Sequence, residues 1–227
     1  MWDACLPDPA NRFSFFCFDL PGFGNSPLPQ QPFSVDSVAD TVFRDISTYT
    51  SAPPVVIGHS LGGYVALAMA AREPKALAGL CLFHSTALAD TAEKKQNREK
   101  VAASVRNYGA RPFLETFAAG LFADSRSAAC TKFSERCTET SAESIAAWAL
   151  AMRDRPDRTA LLKAADIPIT WVAGRFDTIT PVEMMEMMRN YNMTMQLELL
   201  ENSAHAGMLE EPAEASAIIA RFLSSIP

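Results

Sequence analysis

The stretch Val55-Val56-Ile57-Gly58-His59-Ser60-Leu61-Gly62-Gly63 decides how this chain folds. A short β-branched run leads into a small-x-Ser-x-small turn, and an apolar, alanine-rich segment at residues 64–71 follows at once. This order predicts a strand that reverses directly into a helix. So tight a reversal needs small residues, and we expect side chains at Gly58 and Gly62 to collide across the turn.

The residue at the apex of this turn is a serine. The predicted geometry lifts the Ser60 hydroxyl clear of the sheet, and it places the backbone N–H of Leu61 at the N-terminus of the following helix. Helix N-termini stabilise negative charge. The turn therefore predicts Ser60 as a nucleophile and the N–H of Leu61 as a donor to an oxyanion.

Other apolar runs of strand length lie on both sides of the turn. They are Phe13–Phe18, Ala78–Phe83, Ile169–Ala173 and Met195–Leu200, with helical segments between them. Continuous apolar runs indicate strands that are buried on both faces, as in parallel sheets. The sequence therefore predicts an α/β fold with a doubly wound, mostly parallel sheet.

The alternation of strands and helices breaks between residues 87 and 163, where every signal is helical. Two patterns in this region, Asp90-x-x-Glu93 and Thr140-x-x-Glu143, have the spacing of capping boxes at helix starts. We interpret 87–163 as a helical cap insertion, and 1–86 together with 164–227 as the α/β core.

Composition narrows the possible functions of the 227 residues. The net charge of −6 gives no reason to expect nucleic acid or an anionic membrane as a partner. No apolar run approaches the roughly 18 residues of a membrane span. The five cysteines include no C-x-x-C pair, we expect Cys130 and Cys137 to share a helix rather than pair, and no Cys/His cluster suggests a metal. Since the start also lacks the features of a signal peptide, we expect a cytoplasmic protein.

Four short motifs follow one another along the chain. They are Asp19–Ser26, Gly58–Gly63, Gly174–Asp177 and His205 with Glu210-Glu211-Pro212. Together they resemble the α/β-hydrolase superfamily, in particular its serine esterases and lipases. A residue order of serine, then acid, then histidine is typical of that superfamily.

The resemblance implies a catalytic triad without cofactor or metal. Ser60 would attack the carbonyl of a small-molecule acyl substrate, and His205 would take the serine proton as general base. Asp177 would orient His205, with Asp90 as the alternative acid. We expect His59 to pack within the turn and His84 to stand at a strand end without a role in the triad.

The sequence departs from the superfamily before Phe13. It carries no strand and His-Gly loop of the kind that supplies the second oxyanion donor in relatives, so we expect an N-terminally incomplete sheet. A serine at the apex argues against the epoxide- and halide-processing relatives, which use aspartate there. The sequence thus predicts an esterase-like serine hydrolase. A slow or non-catalytic ligand-binding or signalling member of the fold, and an inactive fragment, are the alternatives.

Overall fold

A four-stranded parallel sheet forms the centre of the fold, in the strand order β1-β2-β3-β4. The computed structural model describes residues 1–6, 13–30, 32–72 and 75–227. The strands are β1 (Val55–His59), β2 (Gly79–Phe83), β3 (Ile169–Gly174) and β4 (Gln196–Leu200). Because all four run in the same direction, their carboxyl ends meet at one edge of the sheet.

Helices cover both faces of this sheet. After a short 3₁₀-helix at Trp2–Ala4, they are α1 (Val35–Ser47), α2 (Leu61–Arg72), α3 (Ala92–Tyr108), α4 (Arg111–Ala119), α5 (Ala128–Cys137), α6 (Ala142–Asp154), α7 (Thr159–Ala164), α8 (Glu183–Arg189), α9 (Gly207–Glu210) and α10 (Pro212–Ser224). One part of the core joins apolar side chains of α1 and α2, while another packs α10 against β2 and β3. The predicted α/β class with a parallel sheet is confirmed.

The predicted strand at Phe13–Phe18 is wrong. Residues 14–20 form no regular secondary structure, and Phe16 is 51% exposed with its ring 4.7 Å from that of Tyr49. A parallel strand is stable only when a neighbour accepts and donates its backbone hydrogen bonds. Within the described ranges β1 pairs with β2 alone, so this apolar run contacts the core through side chains instead of joining the ladder.

The region from 87 to 163 contains helices and no strand, as the sequence predicts. Both helix starts lie one residue later than the predicted capping boxes. The side chains of Thr91 and Ser141 accept the capping hydrogen bonds of α3 and α6, in place of Asp90 and Thr140. That these helices form a separate cap remains a prediction.

Helix α6 is fixed against the turn that follows residue 20. The indole N–H of Trp148 donates to the carbonyl of Pro21 at 2.8 Å, and its ring stacks on Phe23 with centroids 6.0 Å apart. The predicted turn at Asp19–Ser26 is present, with the N–H of Asn25 donating to Asp19. This packing joins α6 to the turn at Asp19–Ser26.

Candidate active site

Four polar side chains follow the four parallel strands at the carboxyl edge of the sheet. Ser60 and His84 come directly after β1 and β2, while Asp177 and His205 lie in the loops after β3 and β4. The parallel topology brings together side chains that are up to 145 positions apart in the chain.

The turn after β1 holds Ser60 in a left-handed backbone conformation, with φ at 49°. Such a conformation is strained for a residue with a β-carbon, and it persists only where surrounding contacts enforce it. Here the N–H of Ser60 donates to the carbonyl of Phe83 at 2.9 Å. The hydroxyl of Ser85 donates to the carbonyl of Ser60 at 2.7 Å. The end of β2 therefore fixes the backbone of the turn on both sides of Ser60.

The expected collision across the turn involves Gly58 but not Gly62. A β-carbon on Gly58 would lie 2.5 Å from the carbonyl oxygen of Gly62, whereas a β-carbon on Gly62 would meet nothing within 4 Å. The prediction for Gly62 is wrong because its backbone carbonyl, not its α-carbon, faces the strand. Of these two residues, only Gly58 lies so close to the opposite backbone that a side chain would not fit.

Ser60, His205 and Asp177 form one continuous chain of hydrogen bonds. The Ser60 hydroxyl lies 2.8 Å from Nε2 of His205, and Nδ1 of His205 lies 2.8 Å from Oδ2 of Asp177. Since an ionised carboxylate only accepts, His205 donates from Nδ1 and leaves Nε2 free to accept from the serine. His205 and Asp177 are both buried.

The Asp177 carboxylate accepts hydrogen bonds on both oxygens. Oδ1 accepts from the N–H groups of Ile179 and Thr180, and Oδ2 accepts from the Thr180 hydroxyl at 2.6 Å in addition to His205. Burial alone raises the pKa of Asp177, but the hydrogen bonds from His205, His84 and Thr180 outweigh it and hold the pKa below its usual range. Asp177 is therefore an anion at neutral pH.

His84 also donates to this carboxylate, which the sequence interpretation did not foresee. Its Nδ1 lies 3.0 Å from Oδ2 of Asp177, and its ring is completely buried. The available signal was position, because His84 directly follows a buried strand that ends at the same edge as Ser60.

His59 packs within the turn as expected and makes a further contact. Its Nε2–H donates to the backbone carbonyl of His205 at 2.8 Å. Burial, with His205 and His84 nearby, holds the pKa of His59 well below its usual value, so the ring is neutral. His59 thus fixes the backbone of the loop that carries His205.

The same loop is held from the helical region. The N–H groups of His205 and Ala206 both donate to the carbonyl of Leu121, at 2.9 and 3.0 Å. The carboxylate of Glu210 accepts from the N–H of Ala123 at 2.7 Å and from that of Ala204 at 2.9 Å. The loop after β4 is therefore anchored to the segment between α4 and α5.

Asp90, the alternative acid, has other partners. Its carboxylate is buried and pairs with Arg155 at 2.9 Å and with Arg98 at 3.1 Å. The structure therefore brings Asp177, and not Asp90, to His205. Asp90 instead links the segment after β2 to the end of α6.

Leu61 is the first residue of α2. The N–H of a first helical residue has no acceptor within its own helix, and the helix dipole adds partial positive charge at this end. The Leu61 N–H, next to the Ser60 hydroxyl, is suited to stabilise negative charge on an oxygen of a carbon atom bonded to the Ser60 oxygen.

His84, Asp177 and His205 are the candidate metal-binding cluster that the described part of the chain contains, with donor atoms within 4.8 Å of one another. A tetrahedral ion with bonds of about 2.0 Å would separate its ligand atoms by about 3.3 Å. The contacts of 2.8 and 3.0 Å to Asp177 are those of hydrogen bonds. The donor set therefore fits proton sharing better than metal binding.

Comparison with known proteins identifies the fold family of this chain. A sequence model described as "alpha/beta hydrolase fold" matches residues 1–212. This chain belongs to the α/β-hydrolase fold family. A pimeloyl-[acyl-carrier protein] methyl ester esterase of Neisseria meningitidis is 30% identical over 236 residues, which cover 100% of this α/β hydrolase and 89% of the relative.

Two further relatives of this α/β hydrolase are also hydrolases of esters or lactones by name. A 3-oxoadipate enol-lactonase of Acinetobacter baylyi is 25% identical, with 93% of this chain and 79% of the relative covered. The solved structure of a thermophilic esterase from Thermogutta terrifontis matches with a TM-score of 0.93 at 31% identity, covering 99% of this chain and 85% of that one. These relatives support the conclusion that this chain is a hydrolase. Within the described ranges, none of the helices combines the length and apolarity required to cross a membrane.

Proposed function

We propose that this α/β hydrolase is a serine esterase that cleaves a small carboxylic ester through an acyl-enzyme. In this proposal Ser60 is the nucleophile, His205 is the general base and Asp177 is the orienting acid. The observation that carries it is the hydrogen-bonded chain from the Ser60 hydroxyl through His205 to Asp177.

The chemistry follows from the direction of each hydrogen bond. As Ser60 attacks the substrate carbonyl, its proton passes to Nε2 of His205, and ionised Asp177 stabilises the imidazolium that forms. The N–H of Leu61 stabilises the negative charge on the carbonyl oxygen. His205 then returns the proton to the leaving alcohol, and water releases the acyl group by the same steps in reverse.

The names of the relatives favour esters among the acyl substrates. A methyl ester esterase, an enol-lactonase and a thermophilic esterase all cleave a bond between an acyl carbon and an oxygen. We therefore propose an alkyl ester or lactone of a small carboxylic acid as substrate, with no cofactor.

The proposal places the enzyme in the cytoplasm. All five cysteines are described, and each is a free thiol. Free thiols suit a reducing compartment, since structural disulfides form mainly in oxidising ones.

A fluorophosphonate probe tests the nucleophile directly. The wild-type chain should be labelled and should hydrolyse p-nitrophenyl acetate, whereas Ser60→Ala should lose both properties. Ser47→Ala is a suitable control, because it removes an exposed serine hydroxyl at the end of α1 that donates to the carbonyl of Phe43 and leaves the Ser60 turn unchanged. Labelling that persists in Ser60→Ala would contradict the assignment, and a folded wild-type chain that resists labelling would favour a non-catalytic member of the fold.

A further inference from the structure

His84 occupies a strained position at the end of β2. Its backbone φ is 49°, in the left-handed region that residues other than glycine rarely adopt. The two neighbours of His84 both hold Ser60, since Phe83 accepts from its N–H and Ser85 donates to its carbonyl. The strained turn therefore points the ring of His84 toward Asp177, while Phe83 and Ser85 hold the backbone of Ser60 by hydrogen bonds.

The ring of His84 uses one nitrogen and leaves the other without a partner. Nδ1 lies 3.0 Å from Oδ2 of Asp177. Nε2 is buried and has no hydrogen-bond partner among the described residues. It faces Gly207, where a β-carbon would lie 2.5 Å away. Because Asp177 only accepts, the proton lies on Nδ1 and Nε2 is a bare acceptor.

The surroundings of His84 favour an uncharged ring. Burial lowers the pKa of His84 and outweighs the opposite effect of its hydrogen bond to Asp177, while nearby His205 also lowers it. The titratable groups that face the ring are Asp177, His205 at a centroid distance of 5.6 Å and His59 at 5.9 Å. A proton on Nε2 would leave a buried donor without an acceptor, which is costly.

We propose that His84 is a positioning residue of the hydrolytic site, which holds the Asp177 carboxylate in place and shares its Oδ2 atom with His205. This inference rests on the proposed function, because it concerns how the proposed base is oriented. His84 does not touch the reacting atoms. It acts through Asp177, whose Oδ2 divides its capacity to accept between two imidazole N–H groups.

The shared carboxylate has a consequence for the pH dependence of the reaction. Each donor to Asp177 spreads its negative charge, so removal of the His84 donor leaves more of that charge for His205. The stronger attraction stabilises the protonated form of the general base, which cannot accept the serine proton. Loss of the His84 N–H should therefore move the acidic limb of the pH–rate profile to higher pH.

Two substitutions whose new side chains resemble each other in shape separate the effect of the lost N–H donor from an effect of packing. His84→Asn keeps an amide N–H near the position of Nδ1, and asparagine tolerates a positive φ. His84→Leu has nearly the same shape as His84→Asn but has no donor. For ester hydrolysis, we expect His84→Leu to shift the acidic limb upward by about 0.5 to 1 pH unit and to lower the plateau of kcat/KM about tenfold. We expect His84→Asn to keep the wild-type limb.

A spectroscopic measurement keeps the proposal falsifiable even if His84→Leu does not fold. The chain has three histidines, so the ¹⁵N spectrum of the histidine-labelled protein contains few ring signals. The wild-type protein should show His84 and His205 protonated at Nδ1 and His59 protonated at Nε2, with His84→Asn used for assignment. A His84 ring protonated at Nε2 would overturn the proposal.

The outcomes for the two proposals are distinguishable. If the wild-type chain resists the fluorophosphonate and hydrolyses no ester, the proposed function fails, while the tautomer of His84 still reports on its bond to Asp177. If the wild-type chain is active but both variants show the same acidic limb, His84 is only a packing residue and the proposed function stands.

Discussion

Nη2 of Arg155 lies 2.9 Å from Oδ1 of Asp90, and the structure buries both side chains almost completely. The Arg155 guanidinium also lies over the ring of Tyr64, 3.9 Å from its centroid, and donates to the carbonyls of Met152 and Leu88. This ion pair joins the segment after β2 to the end of α6 and packs both against the helix that follows Ser60.

Removal of the Asp90 charge should destabilise the protein. In Asp90→Asn the Arg155 cation stays buried without its main counter-charge, which typically costs about 3 kcal/mol when one partner of a buried pair is lost. Urea denaturation measures the free energy of unfolding. Glu143→Gln is the matched control, because its partner Arg106 and its own side chain are exposed and we expect little change. Equal stabilities of the two variants would show that burial of the Asp90–Arg155 pair has no energetic importance.

The effect of Asp90→Asn should depend on pH. Burial alone raises the pKa of Asp90, but Arg155 and Arg98 outweigh it and lower the pKa below its usual value. A carboxyl with a lowered pKa in the folded state contributes stability above its unfolded pKa of about 3.9 and loses it as the pH falls through the lowered value. The difference in unfolding free energy between wild type and Asp90→Asn should therefore be largest near neutral pH and shrink below about pH 4. A difference that grows in acid would reverse this sign and contradict the assigned ion pair.

Asp177→Asn should lower activity, whereas Asp90→Asn should lower stability and leave the activity of the folded protein unchanged. An amide at position 177 cannot stabilise the His205 imidazolium and favours the wrong tautomer, so we expect kcat to fall by about 10³–10⁴. Asp90→Asn should retain the wild-type rate of fluorophosphonate labelling at temperatures where it is folded, because Asp90 pairs with Arg155 and Arg98. Loss of labelling in a folded Asp90→Asn protein, with labelling retained in Asp177→Asn, would exchange the two roles.

The two glycines of the turn should differ in their tolerance of a methyl group. Gly58→Ala places a β-carbon 2.5 Å from the carbonyl oxygen of Gly62. The backbone at Gly58 and the backbone at Gly62 cannot move apart without displacing Ser60, which lies between them in the turn. We expect Gly58→Ala to fold poorly or to lose fluorophosphonate labelling. Gly62→Ala meets nothing within 4 Å inside α2, and it should match the wild type in labelling and gain about 0.5–1 kcal/mol of stability. Equal labelling and melting temperatures for the two variants would show that the turn adapts to either side chain.

Much of the site could be predicted because its signals are local. The run at Val55–Ile57, the glycine at position 58 and the alanine-rich segment after Gly63 specify a strand, a turn and a helix through neighbouring residues alone. Apolar runs likewise predicted β2, β3 and β4 to within a residue or so. We also expected the polar residues that follow these strands to lie close together. That expectation needed one further rule, which is that parallel strands end at a common edge of the sheet.

Other features depend on which distant groups become neighbours. His84 and Asp177 are 93 positions apart, and nothing next to either residue indicates that both imidazoles share one carboxylate oxygen. Asp90 and Asp177 both follow strands. The choice between them depended on Arg155, which neutralises Asp90 from the end of a helix more than 60 residues later.

The sequence by itself determined the strand–turn–helix around Ser60 and the parallel α/β class, since backbone sterics and the period of apolar side chains act over a few residues. Only the tertiary structure decided that Phe13–Phe18 is not a strand, because pairing requires a neighbour that no local pattern supplies. It likewise decided that His84, with His205, donates to Asp177, since hydrogen bonds between loops exist only after the sheet has aligned its carboxyl ends.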